Sequence, residues 1–468
     1  MSRDVRGKVK ITGKLVAHTP IAVGGMGGGE QVDLDIAVDG QGRYYIPGSS
    51  LTGPMRAWAT ASLESVGNNI EDILDKLFGY IGERQNTGQA SALFVEDAFP
   101  VEVNPDILRT LRERRHGISI DACTGTTKKG FLYTRALLPR GMAFRLEMEL
   151  DLTPGDAEHT EALRHILDAL ARGEIRFGAN KTRGFGVLCL EEFQVDRYDF
   201  ADVSDLDRWL RDEPANGRGL DALREPSTTR LKSLQRYDVS IEWRPTSGIM
   251  VKAGKDGSET KMLPLVSGTG RGLTPVIPGA SLKGVLRAQA GKILRTLFND
   301  ECKDVVDDLF GSTERGGRLH VDDVYYEVAQ PLSYPEWLGE NPEALDRIST
   351  RREHVAIDRF TGGASDGALY SARPVKCSEE EPLEKWTPIK ISVDFSNPAP
   401  QPSIDSNIEL ALLKLLIRDL QEGYIPVGFG TRRGLGEIGV DKVTWTPCPD
   451  EPNIQEAWQA FIRGRREV

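Results

Sequence analysis

At 468 residues the chain is too long for one ordinary hydrophobic core, so two or three domains are expected. Its 39% hydrophobic and 28% charged residues, without a low-complexity tract, mark a globular protein, and the longest apolar run, "IELALLKLLI" from Ile408, is broken by Lys414 and too short to span a membrane. A net charge of −11 excludes a protein coated in nucleic acid on all sides but leaves room for a basic groove on an acidic body. The opening "MSRDVRGKVKITG" lacks the apolar core of a signal peptide. Five cysteines (123, 189, 302, 377 and 448) form no CxxC pair, and six histidines form no HxH or HExxH pattern. Disulfide, zinc and histidine-based sites are therefore not expected, and a reduced cytoplasmic setting is.

In chain order, an opening strand ("KVKITGKLVAH") runs into a glycine-rich loop, Gly24 to Gly29 with Gly25 at its start, followed by the strand-like "VDLDIAV". No Lys-Ser/Thr follows the glycines and no helix opens there, so the P-loop and Rossmann readings both fail. Asp33 and Asp35 share a side if the segment is extended. They are candidates to bind Mg²⁺ or to position a 2′-hydroxyl, with plain solvated loop charge as the alternative.

Next comes "YIPGSSLTGPMRAWA", a Pro-Gly turn before a helix with Ser50 as expected N-cap. Ser49, Ser50 and Arg56 there suit an anion at a helix N-terminus. The loop "DACTGTTKKGFLYTR" carries Lys128, Lys129, Phe131 and Tyr133 on an expected projecting hairpin, whose aromatic either wedges between bases or packs in the core. An amphipathic helix ("AEHTEALRHILDALA") then leads to "NKTRGFG", where Lys181 and Arg183 stand among glycines suited to gripping phosphate.

Residues 199–234 are polar and rich in breakers; they read as a connector with one short helix around Leu206 to Arg211. Beyond it the same order returns. "VIPGASLKGVLRAQA" repeats the Pro-Gly-Ser helix with Ser281, Lys283 and Arg287; "GRLHVDDVY" repeats "SALFVEDAF"; "VAIDRFTGGASDGALYSARPVK" repeats the hairpin with Arg359 and Phe360; and "GTRRGLG" repeats the closing loop with Arg432 and Arg433. The offset drifts only from 226 to 250 residues, always in one order, which marks a tandem duplication. The expected division is a first module at 1–198, a connector at 199–234 and a second module at 235–468. Each follows the split βαβ order of an α+β, ferredoxin-like (RRM-like) domain. The second copy's counterpart to the aspartate loop, "KMLPLVSGTGRG" from Lys261, contains no aspartate.

With "IPGSSLTG"/"IPGASLKG", "ISIDACTG"/"VAIDRFTGGASDGALY" and "KTRGFG"/"TRRGLG" assembled, the chain resembles the RAMP superfamily over both halves. More narrowly, it is similar to the backbone subunit of type III CRISPR effector complexes, as a fused double module like that of subtype III-D. The resemblance implies two tandem ferredoxin-like RAMP domains with thumb hairpins, lined up along a CRISPR RNA and kinking its duplex with single-stranded target RNA. It implies further RAMP proteins and a large polymerase-like subunit as partners, and no membrane. By position, Asp33 falls on the family's catalytic aspartate, which promotes target cleavage with Mg²⁺ or Mn²⁺. Ser49, Ser50, Arg56, Ser281, Lys283, Arg287 and the closing glycine-arginine loops fall on guide-backbone contacts. Two departures stand out: Thr52 replaces a lysine in the first copy, and the second copy lacks the aspartate, so it is expected to bind without cutting. The rival readings are a non-catalytic guide-binding scaffold and a ribonuclease that trims guide precursors; the latter favours a histidine site that the sequence does not offer.

Overall fold

The computed structural model describes residues 4–25, 32–82, 88–101, 113–120, 124, 126–155, 157–224, 227–232, 236–254, 257, 260–269, 272–298, 302–376, 385–396 and 404–466. They form two compact units, the first of Met1–Arg114, Thr134–Lys181 and Phe185–Leu234, the second of Arg115–Tyr133, Thr182–Gly184 and Gln235–Val468.

The first module runs β1 (Gly7–Ala17), α1 (Gly48–Ser62), α2 (Ile70–Phe78), β2 (Leu93–Val95), the inserted hairpin β3 (Glu113–Ile120) and β4 (Thr127–Leu137), which is counted over Arg115–Tyr133 with the second unit, then β5 (Ala143–Leu152), α3 (Ala157–Ala171) and β6 (Leu188–Asp199). The sheet runs β2-β5-β1-β6, the antiparallel order of a ferredoxin-like fold, with Ile11 opposite Met148 on one side and Val195 on the other. Alternation in β1 sends Val9 and Ile11 into the core. Leu51, Met55 and Ala59, one per turn on α1, meet them from one face, as do Leu163, Ile166, Leu167 and Leu170 of α3. The opposite face carries exposed Phe94 among charged side chains. There Lys8 pairs with Glu149 at 3.0 Å and Asp151 at 3.4 Å, and Lys10 with Asp212 at 2.5 Å.

The expected connector is folded onto the first unit. Its helix α4 (Val203–Leu210) is capped by Asp202, which accepts from Ser204 N at 2.8 Å. Gly217–Arg218 adds an edge strand to β6, and Thr229–Leu231 pairs with Leu63–Ser65. Glu158 holds the far end by accepting from Ser227 Oγ (2.8 Å), Thr228 N (2.9 Å) and Thr229 Oγ1. Polarity gives this stretch the look of a free linker because its short side chains serve as caps and latches.

The second unit repeats the plan with β7 (Arg236–Pro245), α5 (Gly279–Phe298), α6 (Lys303–Phe310), β8 (Leu319–Val321), the hairpin β9 (Arg352–His354) and β10 (Tyr370–Ala372), β11 (Ile389–Asp394), α7 (Ser406–Gln421) and β12 (Ile438–Thr446). Its sheet order, β8-β11-β7-β12, is that of the first. A helix beyond the closing strand, α8 (Glu451–Arg466), packs Ile454 on Leu410 of α7 and Phe461 on Phe298 of α5. Among the described residues no helix is long and apolar enough to cross a membrane.

Candidate nucleic-acid interface

The segment around Asp33 is extended and lies along the base of the hairpin. Asp33 N and Leu34 N donate to Thr134 O at 3.0 and 3.2 Å, and Ala136 N returns a bond to Leu34 O at 2.9 Å. The Asp33 carboxylate adds a third anchor, its Oδ2 accepting from Thr134 N at 2.7 Å. Asp33 is exposed, with one carboxylate oxygen held by that bond. Asp35 is half-buried and turns back on its own strand, accepting from Ile36 N at 2.7 Å. Gly25 lies against that strand, where a Cβ would sit 2.6 Å from Ile36 O, so this glycine serves close backbone packing. The remaining glycines of the loop, and Lys128's side chain, lie outside the described residues.

The second unit builds the same cradle. Met262 N donates to Ser371 O at 3.1 Å and Arg373 N to Met262 O at 3.0 Å, matching Leu34 with Thr134 and Ala136 with Leu34. The residue in Asp33's place is Lys261, exposed, with its backbone N 3.3 Å from Ser371 Oγ. The halves therefore carry opposite charge at one structural position.

Both hairpins present apolar residues to solvent. Phe131 is 56% exposed beside exposed Ile118, Ile120 and Leu132, and Phe360 is 100% exposed beside exposed Val355, Ile357 and Leu369. The core placement of these aromatics is therefore excluded. Asp358 shapes the second hairpin tip by accepting from Phe360 N (2.9 Å) and from Thr361 N (2.7 Å) and Oγ1 (3.0 Å). Those bonds, led by the Thr361 amide, hold its carboxyl below the usual range. Lys129 and Arg359 are exposed on the two hairpins.

Several expected phosphate contacts face inward instead. The helices begin at Gly48 and Gly279, so the serines lie in the first turn and are not N-caps. The capping oxygen comes from a distant strand: Gly48 N donates to Asp97 Oδ1 and Gly279 N to Asp323 Oδ1, both at 2.8 Å. A carboxylate of the chain already occupies the position expected for an anion. Arg56 Nη1 donates to Gly79 O at 2.6 Å while Nη2 pairs with Asp75. Arg287 does likewise with Gly311 O and, at 2.6 Å, Asp307. The recurring arginine thus ties the first helix of each module to the end of the next. Lys283 is 7% exposed, donates to Leu319 O at 2.7 Å, and has its pKa pushed down to about 7 by burial, then by the fields of Arg183 and Arg287. In this conformation it does not reach a phosphate.

In the closing loops, Gly186 and Gly436 adopt φ of 87° and 82°, and a Cβ there would sit 2.0 Å from Phe177 O and 2.1 Å from Val427 O. The glycines let each loop fold on itself. Arg183 and Arg432 are exposed, as is Arg433, which rests on the rings of Tyr370 and Phe429. Lys181 is half-buried, and desolvation lowers its pKa. Within the second unit, residues 115–133, Arg183, Ser281, Arg359, Arg432 and Arg433 belong to one compact body. Among the described residues no three His, Cys, Asp or Glu side chains converge on a cation position. Among the described residues the Asp33 site therefore does not fit a resident metal centre built by protein alone.

This pair of cradled loops, hairpins and glycine-arginine turns coincides with the family match. The sequence model of the RAMP superfamily matches twice, over residues 14–189 and 263–438, and the chain belongs to that superfamily as a tandem of two RAMP domains. RAMP proteins are RNA-binding components of CRISPR-associated complexes. No curated protein matches the chain. What sequence reasoning missed is the pair Asp97 and Asp323, although "VED" and "VDD" stand at the same place in the repeated stretch.

Proposed function

We propose that this chain is a guide-binding backbone subunit of a type III CRISPR effector complex, and that its first module cuts target RNA. The observation that carries the reading is Asp33. Its carboxylate is exposed, pinned by Thr134 N–H at the root of a hairpin with exposed aromatics, and replaced by Lys261 at the same position of the second module. The hairpin residues Phe131 and Phe360 wedge into the guide–target duplex and displace a nucleotide from the stack. That displacement lets the 2′-oxygen, phosphorus and leaving 5′-oxygen come into line, which A-form stacking forbids. Asp33 accepts the proton of the attacking 2′-hydroxyl; the bond from phosphorus to the 5′-oxygen breaks, leaving a 2′,3′-cyclic phosphate and a 5′-hydroxyl that takes its proton from water. Any Mg²⁺ or Mn²⁺ would be held by Asp33 together with the phosphate. Guide contacts fall to Lys129, Arg183, Arg359, Arg432 and Arg433, the cations that face outward. Specificity comes from base pairing while the protein reads backbone and shape.

The test is Asp33→Ala in the assembled complex. Target binding is retained, one product of the cleavage ladder is lost, and its rate falls roughly 10²-fold or more. An unchanged ladder would identify the chain as a scaffold with cutting done by neighbouring subunits.

A further inference from the structure

Four planar side chains of the second unit form a continuous row. His354 and Tyr370 face each other across β9 and β10, and their rings stack with centroids 5.0 Å apart and planes 18° from parallel. The closing loop brings Arg433, whose Nη1 donates to the Tyr370 hydroxyl and whose guanidinium lies 4.8 Å from the Phe429 ring centroid. Tyr370 is thereby held on a face and at its hydroxyl. The outer end of the row is His354, half-buried at the root of the hairpin that carries fully exposed Phe360. Among the described residues its imidazole stacks on no second ring and makes no hydrogen bond.

The duplication shows that the module does not need this row in order to fold. Setting "TRREHVAIDRFTG" against "ERRHGISIDACTG" puts Gly117 at the place of His354, and "IPVGFGTRRGLG" against "IRFGANKTRGFG" puts Ala179 at the place of Phe429. The tyrosine and the arginine recur as Tyr133 and Arg183. A Cβ at Gly117 would fall 2.2 Å from Tyr133 Cζ, so in the first copy the tyrosine lies directly on the glycine and no ring can stand there. Both outer members of the row are therefore peculiar to the second copy. A ring kept only for packing has no use for two unpaired nitrogens at a half-open position, where each is solvated and the stacking surface is left unused.

We infer, on the RNA-binding reading proposed above, that His354 is the platform for one unpaired nucleobase. The base stacks on the imidazole, which Tyr370, Arg433 and Phe429 hold in place beforehand, so little ordering is left to the moment of binding. The surrounding charge suits a nucleotide: Arg433 and Arg359 are exposed, and so is Lys261, whose backbone N lies 3.3 Å from Oγ of Ser371, the residue after Tyr370. Stacking uses the face that every base has, so the platform holds a nucleotide without reading its identity. The first module, with Gly117 and Ala179 in place of the outer rings, has no such platform.

The test uses the assembled complex with His354→Ala and His354→Phe, each checked to unfold at the parent's temperature. On intact RNA, His354→Ala should bind target about 10-fold more weakly, whereas His354→Phe, which keeps a ring, should bind like the parent. A single abasic nucleotide is then stepped along the target in one series and along the guide in another, and the ratio of parent to His354→Ala affinity is read at each position. At one position in one strand that ratio should fall to about one, because the base that would stack is already gone; the series in which this happens identifies the strand. A His354→Ala complex that binds intact target like the parent would overturn the inference. So would a ratio that stays the same at every position of both strands, since the imidazole would then serve only the shape of the hairpin. Either result leaves RNA binding by the chain intact, whereas a parent complex that binds no RNA removes the proposed function and the platform together.

Discussion

Replacing Arg56 by Ala separates two explanations of a residue that recurs in both halves of the chain. If the guanidinium serves RNA, its loss weakens guide binding and leaves the protein's stability alone. The structure gives it other work: it donates to the Gly79 carbonyl at 2.6 Å and to Asp75, fastening α1 to the end of α2. Charge-assisted bonds of this kind contribute about 1.5–3 kcal/mol each when well sheltered. The Arg56 side chain is 38% exposed and Asp75 32%, so solvent screens part of that and about 2 kcal/mol for the pair is the expected loss. For a unit of this size that corresponds to a fall in Tm of about 4–8 °C. Arg287→Ala, which cuts the matching bonds to Gly311 O and Asp307, should act alike in the second unit. Arg56→Lys should fall between, because an ammonium on a single stem reaches the carboxylate or the carbonyl and not both. The assay is thermal unfolding of the parent and the three variants, followed by guide binding at a temperature where all are folded. Guide affinity within about twofold of the parent is expected, since an interaction of this kind supplies no phosphate contact. An unchanged Tm with guide affinity lost alike on every sequence would refute the reasoning and return both arginines to the RNA.

Lys283 predicts a pH dependence. The folded chain takes up its proton only below about 7, whereas the unfolded chain does so below the ordinary 10.5, so the unfolded state binds more protons between those values. Stability of the parent therefore rises from pH 7 toward pH 10.5 through this group, and Lys283→Met should flatten the rise in urea midpoint measured at pH 7 and pH 9.5. Glu158 has the same ordering in a more acidic window. Held down to about 2 by the Thr228 amide and the hydroxyls of Thr229, Ser227 and Thr228, against its burial, it contributes stability above pH 4.5 that is lost as pH falls toward 2. Glu158→Ala should release the strand Thr229–Leu231 from Leu63–Ser65, seen as faster amide exchange there with the β1–β5 ladder unchanged.

The duplication was legible because four motifs recur in one order, and the matched sheet orders β2-β5-β1-β6 and β8-β11-β7-β12 show that the two copies share one fold. The extended course of the Asp33 segment was legible from the alternation in "VDLDIAV", although the structure joins it by isolated bridges and not as a strand, and only one copy carries the acid. What could not be read was the direction in which recurring cations face. Arg56 and Arg287 were expected on RNA because they follow a Pro-Gly turn at fixed spacing, yet a helix-to-helix clamp demands the same spacing; Lys283, whose repeat mate is Thr52, turns inward to the Leu319 carbonyl of β8. Recurrence reports that a residue is needed by the module, and a module needs its own closure as much as its ligand. Glycines mislead in the same way: Gly186 and Gly436 recur because a carbonyl of their own loop lies within 2.1 Å of any Cβ, not because a strand of RNA approaches.

The divergence between the copies is more informative than their agreement. Where backbone closure is concerned the halves match bond for bond: Gly48 with Asp97 and Gly279 with Asp323 at 2.8 Å, and Arg56 and Arg287 on the carbonyls of Gly79 and Gly311. Where a side chain leaves the surface of the cradle the halves part, Asp33 against Lys261. Packing does not account for the change: the bonds of the next residue match, Leu34 N to Thr134 O and Met262 N to Ser371 O, while Asp33 N meets Thr134 O, Lys261 N meets Ser371 Oγ, and both side chains are exposed. A carboxylate can take a proton from a 2′-hydroxyl and an ammonium cannot; an ammonium can hold a phosphate that a carboxylate repels. Two cradles of one geometry and opposite charge therefore suit different tasks, which in the proposed function are cutting for the first and holding for the second.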